Sequence, residues 1–193
     1  MIEPYPLWNP PEYVSNLLVK DNREWTLREA KTFYAWFISI INERLTILST
    51  LCQDDMTGNP FDILYRCGKI VSSTIVEKEG FSRPSTSPLE KVRHELALTE
   101  YGIALAQYDM GLLIANLIIM QYPSLHWGIA GDTKKYFYHH HPVVQGFVYP
   151  IEFDPLRYNI PGGAINPCAW VQAYEYLWNA APEPPYAKKV DDK

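Results

Sequence analysis

Apolar residues recur at threes and fours along much of the first 120 positions, a spacing that lines up one face of an α-helix. Ala30, Phe33, Phe37, Ile40, Ile41, Leu45 and Leu48 form one such stripe, with Arg28, Lys31 and Glu43 largely outside it. Ile63, Leu64, Cys67, Ile70, Val71 and Ile75 form a second. A third segment is amphipathic up to about Tyr101; past Gly102 it is apolar on all sides, which marks a central helix that the others wrap. Gly102 and Gly111 are the positions where that helix could bend or a neighbour approach closely.

Helix starts carry a recurrent signature. Asn9-Pro10, Asn59-Pro60, Ser87-Pro88 and Asn166-Pro167 each place a side chain able to accept from an orphan N–H before a residue that has no N–H and a φ preset for helix. Thr26-Leu27-Arg28-Glu29 and Ser87-Pro88-Leu89-Glu90 have the spacing of capping boxes. Pattern and caps together predict helices over about 11–20, 27–51, 60–77, 88–121 and 167–179.

Between Pro123 and Gly163 the helical period gives way to Gly, Pro, His and aromatic residues. Lys135–His139 and Val143–Tyr149 have strand-like composition, with Pro142 between them suited to a turn or a strand edge. The fold class is therefore mainly α: a compact bundle of about five helices around a central apolar helix, with a small irregular or two-stranded β segment near 134–150. Residues 1–180 are expected to form a single domain and 181–193 an extended tail.

Composition narrows the function classes. Hydrophobic residues make up 47% and charged residues 20%, enough apolar surface to offset the entropy of ordering the chain. The net charge is −5 and no Lys/Arg stripe is present, which argues against nucleic acid as a partner. Ile103–Met120 has about the length of a bilayer span, but Gln107, Asp109 and Asn116 interrupt it, so a buried core helix is expected and no membrane partner. Cys52, Cys67 and Cys168 form no CxxC pair and read as reduced thiols, with Cys67 buried on an apolar face. The opening residues lack a basic stretch followed by an apolar run, and with the thiols this points to the cytoplasm. The composition is compatible with a homo-oligomer. Six Trp, 14 Tyr and seven Phe suit either a dense core or an adhesive surface.

Two blocks carry a resemblance. Trp25-Thr26-Leu27-Arg28-Glu29-Ala30, continuing through Phe33-Tyr34-Ala35-Trp36-Phe37 to Glu43-Arg44-Leu45 and Leu48, resembles the opening helix of a loosely defined group of uncharacterised bacterial proteins. Tyr108-Asp109-Met110-Gly111, Tyr122-Pro123-Ser124-Leu125-His126-Trp127 and His141-Pro142-Val143-Val144-Gln145-Gly146-Phe147 resemble their later half. The resemblance is one of spacing and residue type over about half the chain. What it implies is a class, an immunity or accessory protein of a bacterial toxin system, and it names no functional residue.

Few residue groups could carry chemistry. His139-His140-His141 offers imidazoles; on a strand His139 and His141 would share a face, and a metal would need a third ligand such as His126, Glu152 or Asp154. No HExxH or Cys cluster supplies one, so a polar, partly exposed strand edge is the expected role, with no metal and no cofactor. No GxSxG elbow appears, and Pro161-Gly162-Gly163-Ala164 before Asn166 reads as an ordinary loop ahead of a helix. Asp109 lies inside the most apolar helix and needs a partner; the planar fork of Arg44 is the expected one, making a structural buried pair.

Two readings of function follow. The first is a non-enzymatic protein-binding protein, an immunity-type inhibitor of a toxin, whose partner-binding surface comprises Trp127, Tyr136, Tyr138, His139 and His141 on a non-helical segment. The second is an enzyme with a His/carboxylate site around His139, His141 and Asp154, with or without metal. The absence of a recognised catalytic motif favours the first.

Overall fold

The computed structural model describes residues 8–79, 89–131, 139–148, 151–156 and 166–182, with side chains over the same ranges except 73–79 and 89–104. Within them lie five helices, α1 (Glu12–Leu18), α2 (Leu27–Cys52), α3 (Pro60–Glu79), α4 (Leu89–Gln121) and α5 (Cys168–Ala180), and an antiparallel pair, β1 (His126–Ile129) and β2 (Pro142–Gln145). The protein is mainly α with a small β element. No helix among the described residues is long and apolar enough to cross a membrane.

Local chemistry sets most of the helix ends. Thr26 accepts from the Glu29 N–H while Glu29 accepts from the Thr26 N–H, a complete capping box that opens α2; Gln53, in the left-handed region at φ 51°, closes it. Asn59 and Asn166 each accept from the N–H two residues on, at the starts of α3 and α5. At α1 the expected Asn9-Pro10 start does not occur. Pro11 stays extended (φ −61°, ψ 157°), and the helix begins at Glu12 without a side-chain cap, because a residue preceding proline is pushed out of the helical region and two prolines follow Asn9 in succession. The Ser87-Pro88 start lies outside the described residues.

Two apolar clusters form the core. One joins Leu48 and Cys52 of α2 to α3, α4 and α5, where Trp170, Tyr174, Leu64 and Met110 are fully buried. The other packs Val14, Leu17, Trp25, Phe33, Trp36 and Phe37 against Leu112 of α4. Gly111 lets the chain after β2 lie on α4: a Cβ there would stand 2.8 Å from the Pro155 carbonyl oxygen. Gly68 does the same for α5, since a Cβ would meet Trp170 at 2.7 Å.

The β element differs from the sequence expectation. β2 overlaps the expected Val143–Tyr149 strand, beginning one residue earlier, but its partner is His126–Ile129 rather than a strand at 135–139, with Trp127 opposite Val144 and Ile129 opposite Pro142. Residues 132–138 lie outside the described residues, and His139 and His140 form a turn instead of a strand end. Four residues with Gly at the third position show no apolar/polar alternation, so β1 is silent to a period-two reading. Pro142 is tolerated as the first residue of β2, where the ladder needs no N–H from it.

Candidate functional site

Arg44 and Asp109 meet between α2 and α4. Arg44 Nε lies 3.1 and 3.2 Å from the two carboxylate oxygens and Nη2 lies 2.6 Å from Oδ2, with 3% and 0% of the side chains exposed. Arg44 stands between Ile41 of one core cluster and Leu48 of the other, and its guanidinium lies 5.9 Å from the Trp8 ring centroid. The pair sits at the seam of the two clusters and presents no charge to a ligand.

His139 and His140 are interior and His141 is half-buried, which corrects the expectation of a partly exposed strand edge. His139 and His140 are 2% and 6% exposed, and their rings face each other with centroids 3.7 Å apart. His140 takes φ 66°, an unusual backbone conformation for a non-glycine residue. His139 is held at both ends: its Nδ1–H donates to the Gly131 carbonyl at 3.0 Å, and its own carbonyl accepts from the buried Asn22 amide at 2.7 Å. Its Nε2 is buried without a hydrogen-bond partner among the described residues. The turn is packed inward because Asn22 and the sheet end at Ala130, whose N–H reaches the His141 carbonyl, satisfy its backbone.

His141 and Asp154 come within hydrogen-bonding reach of each other. Nδ1 of His141 lies 2.8 Å from Asp154 Oδ2, so Nδ1 donates and Nε2 is left as the basic nitrogen. The other carboxylate oxygen accepts from the Leu156 N–H at 2.9 Å, fixing the acid, and the Trp25 ring lies 6.0 Å from the imidazole. Glu152 is engaged elsewhere, accepting from Gln145 Nε2 at 2.7 Å, and His126 bonds the Ser124 carbonyl at 3.2 Å. Among the described residues no three His, Cys, Asp or Glu side chains come together as a metal site.

Of the residues expected on a recognition surface, Trp127 is half-buried: its ring packs edge-on against Phe37 at 5.5 Å and its carbonyl accepts from the Tyr34 hydroxyl at 3.1 Å. His139 is in the interior and His141 is turned to Asp154. Tyr136 and Tyr138 lie outside the described residues. The structure thus sets His139 and His141 inward just ahead of β2, not on the strand face and contact patch expected from the sequence.

A different surface stands open. A groove of about 860 Å³ runs along α2 from Leu27 to Ser39, with Tyr13 of α1 as the opposite wall and Thr32, Ala35 and Trp36 along its length. Tyr13 and Leu27 are 57% and 52% exposed, and Leu18 at the end of α1 and Val19 after it are exposed as well, at 52% and 86%. Arg28 and Lys31 line the same groove, and among the described residues neither is in an ion pair, whereas Lys20, Arg23, Arg44 and Arg66 all are. In the sequence this surface shows only as Arg28 and Lys31 lying outside the apolar stripe of α2. The available signal was Leu27, an apolar residue at an exposed first-turn position beside two cations.

No protein-family model matches the chain, nor does a curated protein or a solved structure.

Proposed function

We propose that the chain is a non-enzymatic protein-binding protein, an inhibitor of the immunity type that the sequence resemblance implies, and that it takes its partner in the α1–α2 groove. The observation that carries this reading is the groove itself, where exposed Tyr13 and Leu27 adjoin Arg28 and Lys31, neither of which is in an ion pair among the described residues. Exposed aromatic and apolar side chains beside uncommitted cations have the composition of a binding surface, and Tyr and Arg are the residue types that anchor interfaces most often. The partner segment that fits is apolar with carboxylates along one edge.

The test is co-expression with the product of the adjacent gene. Tyr13→Ala combined with Arg28→Glu should weaken capture at least tenfold, since an anchor is worth about 2 kcal/mol, while thermal unfolding is unchanged. Capture equal to that of the parent protein overturns the placement, and failure of the adjacent product to bind or to be neutralised overturns the immunity reading.

A second reading rests on the His141–Asp154 pair, whose 2.8 Å contact leaves a basic imidazole nitrogen held in place by a fixed acid. It requires a substrate-dependent activity that Asp154→Asn removes, or stoichiometric Zn, Fe or Mn in the purified protein. Neither is expected if the groove is the functional surface.

A further inference from the structure

Cys52 is the last residue of α2 and Cys67 lies in the second turn of α3. Their helices are joined by a short loop, and the Cys52 side chain reaches the Cys67 backbone across it. The Cys52 sulfur stands 3.8 Å from the Cys67 carbonyl oxygen, both residues are free thiols, and they are 7% and 0% exposed. Directly outside them a second contact ties the same two segments. Arg66 Nε and Nη2 grip the Asp54 carboxylate at 2.5 and 3.1 Å, and Nη2 also reaches the Thr57 carbonyl at 3.4 Å. Two adjacent ties therefore join the end of α2 and its loop to α3 around the two cysteines.

We propose that Cys52 and Cys67 are a redox pair, and that a small hydroperoxide converts them to a disulfide that locks the end of α2 to α3. The local chemistry divides the roles. The Cys52 side chain is hydrogen-bonded to Cys67, which lowers the Cys67 pKa, and Arg66 adds to that effect although burial and Asp54 oppose it. The same bond, with burial, raises the Cys52 pKa and keeps that thiol protonated. Cys67 is the attacking sulfur. Its thiolate displaces hydroxide from the peroxide O–O bond to give a sulfenic acid; the Cys52 sulfur then attacks that sulfur, the S–S bond forms, and the sulfenic oxygen leaves as water with the Cys52 proton. In sum two thiols and one hydrogen peroxide give one disulfide and two waters; the peroxide oxygens are reduced and the sulfurs oxidised. A neighbouring second thiol is what turns sulfenic acid into a reversible state instead of an over-oxidised one. Burial restricts the oxidant to a small one, because bulky disulfides cannot reach either sulfur.

Cys168 is exposed and serves as the internal control. The folded full chain is first alkylated with N-ethylmaleimide to block Cys168, treated with hydrogen peroxide, then denatured and alkylated with a heavier maleimide. The expected result is loss of both remaining thiols, a mass lower by two hydrogens, a cross-linked peptide joining Cys52 to Cys67, and full recovery of the thiols with dithiothreitol. In Cys52→Ser the same treatment should leave Cys67 as a sulfenic acid that dimedone captures. The proposal is overturned if, at a dose that oxidises free glutathione completely, both buried thiols of the parent protein still take the heavy label. It is equally overturned if the mass gains oxygen without losing hydrogen. Both results come from the parent protein, so they stand whether or not the variant folds.

Discussion

Arg44 and Asp109, 65 residues apart in the chain, close a buried ion pair across the α2–α4 interface with two guanidinium nitrogens on two carboxylate oxygens. Removing either partner strands the other charge in an apolar seam. Arg44→Ala and Asp109→Ala should each destabilise the protein by about 3–5 kcal/mol. The double replacement Arg44→Met with Asp109→Leu should lose far less, because no charge is left behind. Denaturant unfolding measures all three, and a single variant as stable as the parent would sink the structural role of the pair.

Gly111 and Gly68 test the close approaches around α4 and α3. An alanine Cβ at Gly111 would sit 2.8 Å from the Pro155 carbonyl oxygen, and at Gly68 it would meet Trp170 at 2.7 Å and the Pro167 carbonyl at 3.3 Å. Alanine is otherwise the better helix former, so a gain in stability is expected from propensity alone. Steric overlap with backbone should outweigh it, and each variant is expected to lose roughly 1–3 kcal/mol. Higher melting temperatures in both would show that the neighbouring segments yield freely.

Much of this architecture is legible in the sequence, for a specific physical reason. The stripe from Ala30 to Leu48 and the Thr26–Glu29 box are local, period-bound signals, and α2 begins where the box places it. The Arg44–Asp109 contact was readable because a carboxylate in an apolar helix must find a cation and α2 supplies one on its buried side. The β pair was misplaced because β1 carries no alternation, and its register depends on Val143 and Val144 packing against distant residues. The histidines were misread as surface because three imidazoles in a row look polar, whereas their burial depends on Asn22, 117 residues away from His139. The groove was overlooked because exposure of Leu27 is a property of what does not pack against it.

The acid limb of the stability profile should reflect Glu29 and Asp54. Glu29 is lowered to about 2, chiefly by the Lys20 ammonium and then by the Thr26 N–H and hydroxyl; Asp54 is lowered, chiefly by Arg66. Unfolded carboxylates titrate near ~4, so below that the unfolded chain binds protons that the folded chain does not, and acidification favours unfolding. Their contribution is full above about pH 4.5 and fades as the pH falls toward about 2. Glu29→Gln should lower the melting temperature at pH 7 and make the profile between pH 4.5 and 2 shallower. An unchanged profile would mean that the capping-box carboxylate is not held in its ionised form.

The histidine turn gives the sharpest separation between core and interface. If His139 acted on a partner, His139→Ala would weaken capture and leave unfolding alone. The geometry argues for the reverse: the ring is 2% exposed, stacks on His140 and donates to the Gly131 carbonyl. Truncation removes that hydrogen bond and opens a void beside His140, effects that together amount to about 2–4 kcal/mol. His141→Ala belongs to the same test, since it strips Asp154, itself 6% exposed, of its imidazole while the Leu156 N–H remains. Both variants should therefore unfold at lower denaturant concentration while the folded fraction captures a partner with unchanged affinity. Selective loss of capture by proteins that melt like the parent would return the recognition surface to this turn and take it away from the α1–α2 groove.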